Sequence, residues 1–279
     1  MPLDKGLKVA LSVMYILVVL TITLFTVAPV EAQLPVVILF SWDGVQRNHF
    51  YELLRSGQLP YISKLIESGR VLNITMDCQH ETVTRPSHAT MLTGVCADTF
   101  GMYKNRGETY VIPKGYTIYE KLKAHDSYIK TAHVILKSGA KSLLLGWKYP
   151  TEPFYNAKSS IDFKMTYEDT YGWTSFYKVG TRAFFMFFHM RDPDEAGHMY
   201  GENSVEYTAG IVECDRVLGL AMKSNPTAII YVTTDHGFDE GGTDHFGQPD
   251  IWIGSNDPSI NIRYEREITP HILTLFGVA

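Results

Sequence analysis

Cysteine and excess positive charge are both scarce in this chain. Its 279 residues include only three widely spaced cysteines, Cys78, Cys96 and Cys214, with no Cys-x-x-Cys pair. This spacing argues against a thiolate zinc site and a multi-disulfide framework, and it leaves open one Cys78–Cys96 disulfide outside the cell. The formal net charge of −5 provides no basic footprint, so we expect no binding to a nucleic-acid duplex. The sequence also shows no internal repeat and no low-complexity tract.

The N-terminal segment is the clearest localisation signal. Val9 through Val30 contains no charged residue and follows Lys5 and Lys8. As a helix it would be about 33 Å long, enough to cross a hydrocarbon core of about 30 Å. Residues 1–32 are therefore predicted to be a signal peptide cleaved after Ala32, or an uncleaved signal anchor, which the length favours. Either outcome places residues 33–279 outside the cytoplasm, with the N-terminus inside.

The rest of the chain has the composition of one sizeable globular domain, with 45% hydrophobic and 20% charged residues. Its apolar runs alternate with segments of helical periodicity, which predicts an α/β fold with a mostly parallel central sheet flanked by helices. The predicted strands cover residues 35–42, 71–76, 129–136, 182–189, 228–234 and 251–253. The predicted helices cover residues 47–55, 118–124, 207–221 and 269–276, with further helices starting near Pro60 and Pro86.

Two of the predicted strands end on an acidic residue. Asp43-Gly44 follows the first strand, and Asp235-His236-Gly237 follows the strand 228–234. Ligands of open α/β sheets bind beyond the carboxyl ends of parallel strands, so these side chains are expected to point at a site. The alternative for Asp235 is a helix cap followed by a solvated histidine.

Three further segments carry candidate residues. Thr84 precedes Pro86 at a predicted helix N-terminus, where free N–H groups attract anions; the alternative is a simple N-cap. Asp194 and His198 are four residues apart, which places a carboxylate and an imidazole on the same side of a helical turn or tight loop. A glycine-rich loop carries His245.

Carboxylates and imidazoles together suit zinc or another first-row divalent metal such as Mn²⁺. Two divalent cations would bring four positive charges against three carboxylates. We predict one metal site formed by Asp43, Thr84, Asp235 and His236, and a second formed by Asp194, His198 and His245.

The middle of the chain, about residues 106–181, is rich in aromatic residues. They either line a substrate pocket or, as the more frequent case, pack an inserted subdomain. Separately, Asn73-Ile74-Thr75 is a glycosylation sequon that we expect to be unused if its strand is buried.

These motifs together resemble the alkaline phosphatase superfamily, and most closely the type I phosphodiesterase, or nucleotide pyrophosphatase/phosphodiesterase, family. The resemblance runs from about Pro35 to the C-terminus with a weak middle, and it rests on the segments 41–44, 84–88, 93–94, 101–105, 194–198, 235–237 and 268–273, together with the His245 loop.

The resemblance implies hydrolysis of phosphate diesters with Thr84 as nucleophile and a phospho-threonine intermediate. It also implies that Asn105 donates to a phosphate oxygen alongside the backbone N–H of Thr84 or Arg85. The alternative for Asn105 is an ordinary turn residue. Arg85 stands where nucleotide-cleaving relatives often have an aromatic residue, and it could contact a phosphate directly.

Other functions remain open from the sequence. The same metal core could serve a phosphomonoesterase, a phosphonate hydrolase or a phosphoethanolamine transferase, and the fold could also persist as a non-catalytic binding module. The expected partner is a small phosphate ester, such as a nucleotide or a lipid headgroup, with membrane attachment through the N-terminal helix.

Overall fold

The structure is a computed structural model that describes residues 35–105, 110–136, 154–166, 175–180 and 183–278. The predicted N-terminal membrane helix lies outside these residues, as does most of the aromatic middle segment. Among the helices of the described ranges, none combines the length and the apolar character needed to span a bilayer.

Seven strands form one sheet within the described residues. They are β1 (Val36–Trp42), β2 (Arg70–Thr75), β3 (Lys130–Leu136), β4 (Phe163–Thr166), β5 (Phe184–Met190), β6 (Ile229–Thr233) and β7 (Asp250–Ser255). Their order across the sheet is β2-β7-β6-β1-β5-β3-β4. Strand β7 is antiparallel to both β2 and β6, and the other pairs are parallel. The predicted mostly parallel sheet is thus confirmed.

The predicted helices are present, and the Asp194–His198 segment is also helical. The helices are α1 (Arg47–Arg55), α2 (Pro60–Ile66), α3 (Thr84–Thr93), α4 (Ile118–His125), α5 (Asp192–Tyr200), α6 (Val205–Ser224) and α7 (Ile268–Leu275). Short 3₁₀ turns occur at Ala97–Phe100, Tyr155–Ser160 and Glu265–Glu267.

A hydrophobic core lies on each face of the sheet, because alternate residues of a strand point to opposite faces. Val37 and Leu39 of β1 face a core shared with α3, α4 and α7. Ile38 and Phe40 face a second core shared with α1, α2 and α6. The buried strands are therefore apolar on both faces, which is why they read as continuous hydrophobic runs.

The described part of the aromatic middle does not line the candidate site. Phe154 and Phe176 are buried in the two cores. Phe163 and Tyr177 line a cavity of about 470 Å³ beside Lys130 and Phe184, at the amino ends of the strands. This is the opposite edge from the candidate site. Most of the aromatic segment lies outside the described residues, so whether it lines a substrate pocket or packs an inserted subdomain stays a prediction.

The structure also bears on the cysteine pairing and on the glycosylation sequon. Cys78 and Cys96 form a disulfide, whereas Cys214 is free and buried in α6. Asn73 lies on β2, which is the edge strand next to β7 in the sheet of the described residues, and Asn73 is exposed. The burial on which the sequon was expected to be unused is therefore not found.

Candidate active site

Strand register brings the two strand-end carboxylates together. Ser41 of β1 pairs with Thr233 of β6, so Asp43 and Asp235 follow their strands at equivalent positions. Both side chains are fully buried. Gly44, at φ +67°, turns the chain after β1, and its N–H donates to Asp235 Oδ1 at 3.1 Å. The positive φ explains a glycine at this position, because a side chain there would be strained.

The N-terminus of α3 lies against this pair. Thr84 is the first residue of the helix, and its hydroxyl donates to Asp43 Oδ1 at 3.4 Å. The Thr84 side chain is no N-cap, since Val83 occupies the cap position. His236 Nε2 is 3.2 Å from the same Asp43 oxygen and 3.7 Å from Asp235 Oδ2. The structure therefore brings all four residues of the first predicted metal set together.

The second predicted set is also assembled, around one carboxylate. Asp194 Oδ1 is 3.3 Å from His198 Nε2, one helical turn away, and 3.7 Å from His245 Nε2. The two sets adjoin, because the rings of His236 and His245 are stacked at 4.0 Å. His236 also groups with Asp194 and His245 as potential ligands, and Asp244 groups with His198 and His245. The division of seven residues into two separate sets therefore stays a prediction.

The three imidazoles have the same hydrogen-bonding pattern. His198 Nδ1 donates to the Thr243 carbonyl at 2.8 Å, His236 Nδ1 to the Gly237 carbonyl at 2.9 Å and His245 Nδ1 to the Thr82 carbonyl at 2.7 Å. A carbonyl oxygen can only accept, so each Nδ1 carries a hydrogen and, in the neutral ring, each Nε2 has a free lone pair. All three Nε2 atoms face the carboxylates.

Three groups of this cluster have raised pKa values. Burial, reinforced by the Asp43 charge, raises the pKa of Asp235 to about 8. Burial lowers the pKa of His236, but the charges of Asp235 and Asp43 outweigh it and raise the pKa to about 10. The hydrogen bond to Asp194 raises the pKa of His198 to about 9, whereas burial lowers the pKa of His245.

The donor set fits a pair of divalent cations. Among the described residues, Asp235 Oδ2 and His236 Nε2 are buried atoms without a hydrogen-bond partner. Asp43 and Asp235 have carboxylate oxygens within 4.8 Å of each other. Buried carboxylates at this separation repel unless protons or cations compensate their charge. Oxygen and imidazole ligands at these positions are those that zinc and similar first-row metals use.

Asn105 and Arg85 lie together at the start of α3. The Arg85 backbone N–H donates to Asn105 Oδ1 at 2.8 Å, and the Arg85 guanidinium donates to the Asn105 carbonyl at 3.0 Å. Asn105 therefore lies beside the Arg85 N–H and accepts it, and the role of Asn105 at a phosphate oxygen stays a prediction. Its Nδ2 and the Thr84 N–H are the donors that this arrangement offers to a phosphate oxygen.

Sequence reasoning missed two buried histidines behind the carboxylates. His189 Nε2 donates to Asp43 Oδ2 at 2.9 Å. His88 Nε2 lies 3.1 Å from the Ser41 hydroxyl oxygen and 3.5 Å from Asp235 Oδ2. Their positions were visible in the sequence, because His189 ends a predicted strand and His88 follows Thr84 by one helical turn. Their partners depend on strand pairing and were not visible.

The sheet and the helices around this site form an alkaline phosphatase-like fold. The alkaline phosphatase of the Antarctic bacterium TAB5 superposes with a TM-score of 0.58 at 16% identity, covering 88% of this chain and 99% of that one. A variant of that enzyme holds magnesium. Murine ectonucleotide pyrophosphatase/phosphodiesterase 5, an inactive variant in complex with AMP, superposes with a TM-score of 0.59 at 12% identity, covering 88% and 96%.

Residues 37–268 match the family model of type I phosphodiesterase/nucleotide pyrophosphatase, and the chain belongs to this family. Ectonucleotide pyrophosphatase/phosphodiesterase family member 3 of Mus musculus is 24% identical over 264 residues, which cover 88% of this chain and 29% of that relative. The chain thus spans less than a third of the length of this relative. The family predicted from the motifs is confirmed.

Proposed function

We propose that this chain is an extracytoplasmic, metal-dependent phosphodiesterase of the nucleotide pyrophosphatase type, acting through Thr84. One observation carries the proposal. Three histidines are fixed through Nδ1 to backbone carbonyls, so that their Nε2 atoms face a cluster of three carboxylates, one of which accepts a hydrogen bond from the Thr84 hydroxyl. An array of this kind, buried except at His198, is typical of a catalytic metal site and serves no packing purpose.

The predicted sets would hold two divalent cations, with zinc as the first expectation. Asp43, Asp235 and His236 would hold one cation beside Thr84, and Asp194, His198 and His245 would hold the other. Such a pair supplies positive charge that lowers the pKa of a coordinated hydroxyl and stabilises the charge of an in-line phosphoryl transfer.

Thr84 is the nucleophile of the proposed reaction. Its oxygen bonds to phosphorus and releases the hydroxyl proton, and the bond from phosphorus to the leaving alcohol or phosphate breaks, so that this group departs and takes up a proton. The chain then carries a phospho-threonine. Water attacks the same phosphorus, the bond from phosphorus to the Thr84 oxygen breaks, a proton returns to that oxygen, and the phosphate monoester is released. Asp43 Oδ1, 3.4 Å from the hydroxyl oxygen, orients it before attack. Asn105 Nδ2 and the N-terminus of α3 stabilise the charge on the non-bridging oxygens.

The proposed substrate is a small phosphate diester with a nucleotide as one half. The family name and the AMP complex of the murine relative support this class. Arg85 is half-buried beside Asn105, and its guanidinium donates to the Asn105 carbonyl. We propose that this guanidinium contacts a second phosphate group of the substrate. We therefore expect pyrophosphate-linked substrates to be cleaved as well as simple diesters.

Two features support the proposed extracytoplasmic location. The Cys78–Cys96 disulfide is of a kind that persists in oxidising compartments. The charge-free segment Val9–Val30 has the length of a signal anchor. We propose that the N-terminus stays inside, with the segment as a membrane anchor, and that cleavage after Ala32 is the alternative that releases the domain.

Metal analysis coupled to a substrate panel tests the proposal. Purified protein should contain two zinc equivalents and hydrolyse bis-p-nitrophenyl phosphate faster than p-nitrophenyl phosphate or p-nitrophenyl sulfate. Thr84→Ala should abolish turnover but retain folding and zinc. Thr93→Ala, at the opposite end of α3, is the matched control and should keep activity.

Three results would overturn the proposal. They are a Thr84→Ala variant with wild-type turnover, a preference for the monoester or the sulfate, and a protein that binds no divalent metal.

A further inference from the structure

The two oxygens of the Asp43 carboxylate have separate partners. Oδ1 faces the candidate site, 3.4 Å from the Thr84 hydroxyl and 3.2 Å from His236 Nε2. Oδ2 faces the interior of the sheet and accepts a hydrogen bond from His189 Nε2 at 2.9 Å. The His189 imidazole thus binds the Asp43 carboxylate on the side away from the candidate site.

The sheet register places His189 for this contact. It pairs with Ser41 of β1 and therefore lies on the same face of the sheet as Asp43, two residues further along. The His189 side chain is 1% exposed, and Asp43 is completely buried. Water is therefore excluded from both partners, and the ring cannot swing away from the carboxylate without disturbing the surrounding core.

His189 differs from the three proposed metal ligands. In those histidines Nδ1 donates to a backbone carbonyl and Nε2 is presented to the site. In His189 it is Nε2 that donates, and its partner is the carboxylate itself. A separation of 2.9 Å is a hydrogen bond and leaves no room for a cation between the two atoms.

We propose that His189 is a positioning residue that fixes Asp43 so that Oδ1 faces the first cation and the Thr84 hydroxyl. The inference rests on the proposed function, because it concerns a ligand of that site. Outer partners of this kind fix the rotation of a carboxylate and hold it ionised. Without this donor, the Asp43 carboxylate loses the hydrogen bond that fixes Oδ2, and the cation would meet a less strictly oriented ligand.

Two substitutions separate positioning from packing. His189→Leu keeps apolar volume but removes the donor. His189→Gln keeps a side-chain N–H near the position of Nε2. His133→Leu is the matched control, since His133 is equally buried one strand away in β3 and its Nδ1 bonds the Tyr119 hydroxyl instead of a proposed ligand.

Zinc affinity, measured by competition with a chromophoric chelator, is the main readout. We expect the wild type and His133→Leu to bind two equivalents tightly. His189→Leu should bind one equivalent about 10–100-fold more weakly and the other unchanged, and His189→Gln should recover most of the loss. The zinc-induced rise in Tm should shrink in the same order, and kcat for the diester should fall more than KM rises.

The outcomes distinguish the inference from the proposed function. Wild-type zinc affinity and kcat in His189→Leu would overturn the positioning role alone. A third zinc equivalent in the wild type, lost in both His189 variants, would also overturn it, because His88, His189 and Asp235 would then be ligands of their own site. Wild-type protein without zinc would refute the proposed function as well. If His189→Leu does not fold, His189→Asn replaces it, since the shorter amide cannot reach Oδ2.

Discussion

Removing the cations should make the stability of this protein depend on pH in a definite direction. Without metal, charge compensation at the first set comes from bound protons, because the folded-state pKa is about 8 for Asp235 and about 10 for His236. The ordinary values are 3.8 and 6.5. For both groups the folded-state pKa lies above the unfolded-state pKa. Proton binding therefore stabilises the fold fully at pH values below the unfolded-state pKa, and this stabilisation is lost as the pH rises through the folded-state pKa.

The effect is expected between pH 7 and pH 9. Unfolded Asp235 and His236 have largely released their protons there, whereas the same two folded groups together retain nearly two protons at pH 7 and about one at pH 9. Counted for these two groups, the free energy of unfolding falls by about 2 kcal/mol per pH unit, or about 4 kcal/mol from pH 7 to pH 9. For a domain of this size the Tm should fall by about 8–16 °C. His198, with a pKa raised to about 9, changes the stability in the same direction. The lowered pKa of His245 acts with the opposite sign, but mainly below pH 7.

Urea unfolding of chelator-stripped protein at pH 7, 8 and 9 measures this effect, with zinc-loaded protein as the control. The loaded protein should lose little stability over the same range, because cations replace the protons. The reasoning is refuted if stripped protein is equally stable at pH 7 and pH 9, or more stable at pH 9. Equal pH slopes for stripped and loaded protein would show that the titrating groups lie elsewhere.

Three further predictions concern the surroundings of the site and the sheet edge. Gly44→Ala should lower the free energy of unfolding by about 1–3 kcal/mol and weaken zinc binding, because alanine would be held at φ +67° with its Cβ 3.0 Å from Asp194 Oδ1. Unchanged urea unfolding and zinc titration would contradict this prediction. Replacing both Cys78 and Cys96 by serine should lower the free energy of unfolding by about 2–4 kcal/mol, since the disulfide closes a loop of 18 residues; a urea midpoint equal to that of the parent would contradict it. Asn73, exposed on an edge strand, should be glycosylated when the chain is expressed through a eukaryotic secretory pathway. Peptide-N-glycosidase should then shift the parent on a gel but not Asn73→Gln, and a parent band that does not move would count against glycosylation.

The sequence alone predicted which side chains lie at the site edge of the sheet. Asp43 and Asp235 each follow an apolar run of strand length, and parallel strands end at the same edge of a sheet. That rule alone places both carboxylates at one edge of the sheet, but only the pairing of β1 with β6 in the structure brings them together. The pair Asp194 and His198 was equally readable, because a spacing of four places two side chains on one side of a helical turn.

Other features escaped because they depend on contacts between distant segments. Nothing in the local sequence of β7 shows that it runs antiparallel to its neighbours. Strand β4 has only four residues, too few for its alternation of apolar and polar residues to stand out. The resemblance implied a role for Asn105 near Thr84 and Arg85, but its bond to the Arg85 N–H required the loop geometry.

The sequence by itself determined the class of fold, the family and the residue types of the candidate site, because hydrophobic periodicity and short motifs are local properties. Only the tertiary structure decided which atoms meet. It fixed Nδ1 as the bonded nitrogen of His198, His236 and His245 by placing backbone carbonyls beside it, and it put His189 behind Asp43. Hydrogen-bond partners are set by distances of a few ångströms between residues far apart in the chain, and those distances exist only once the strands have paired.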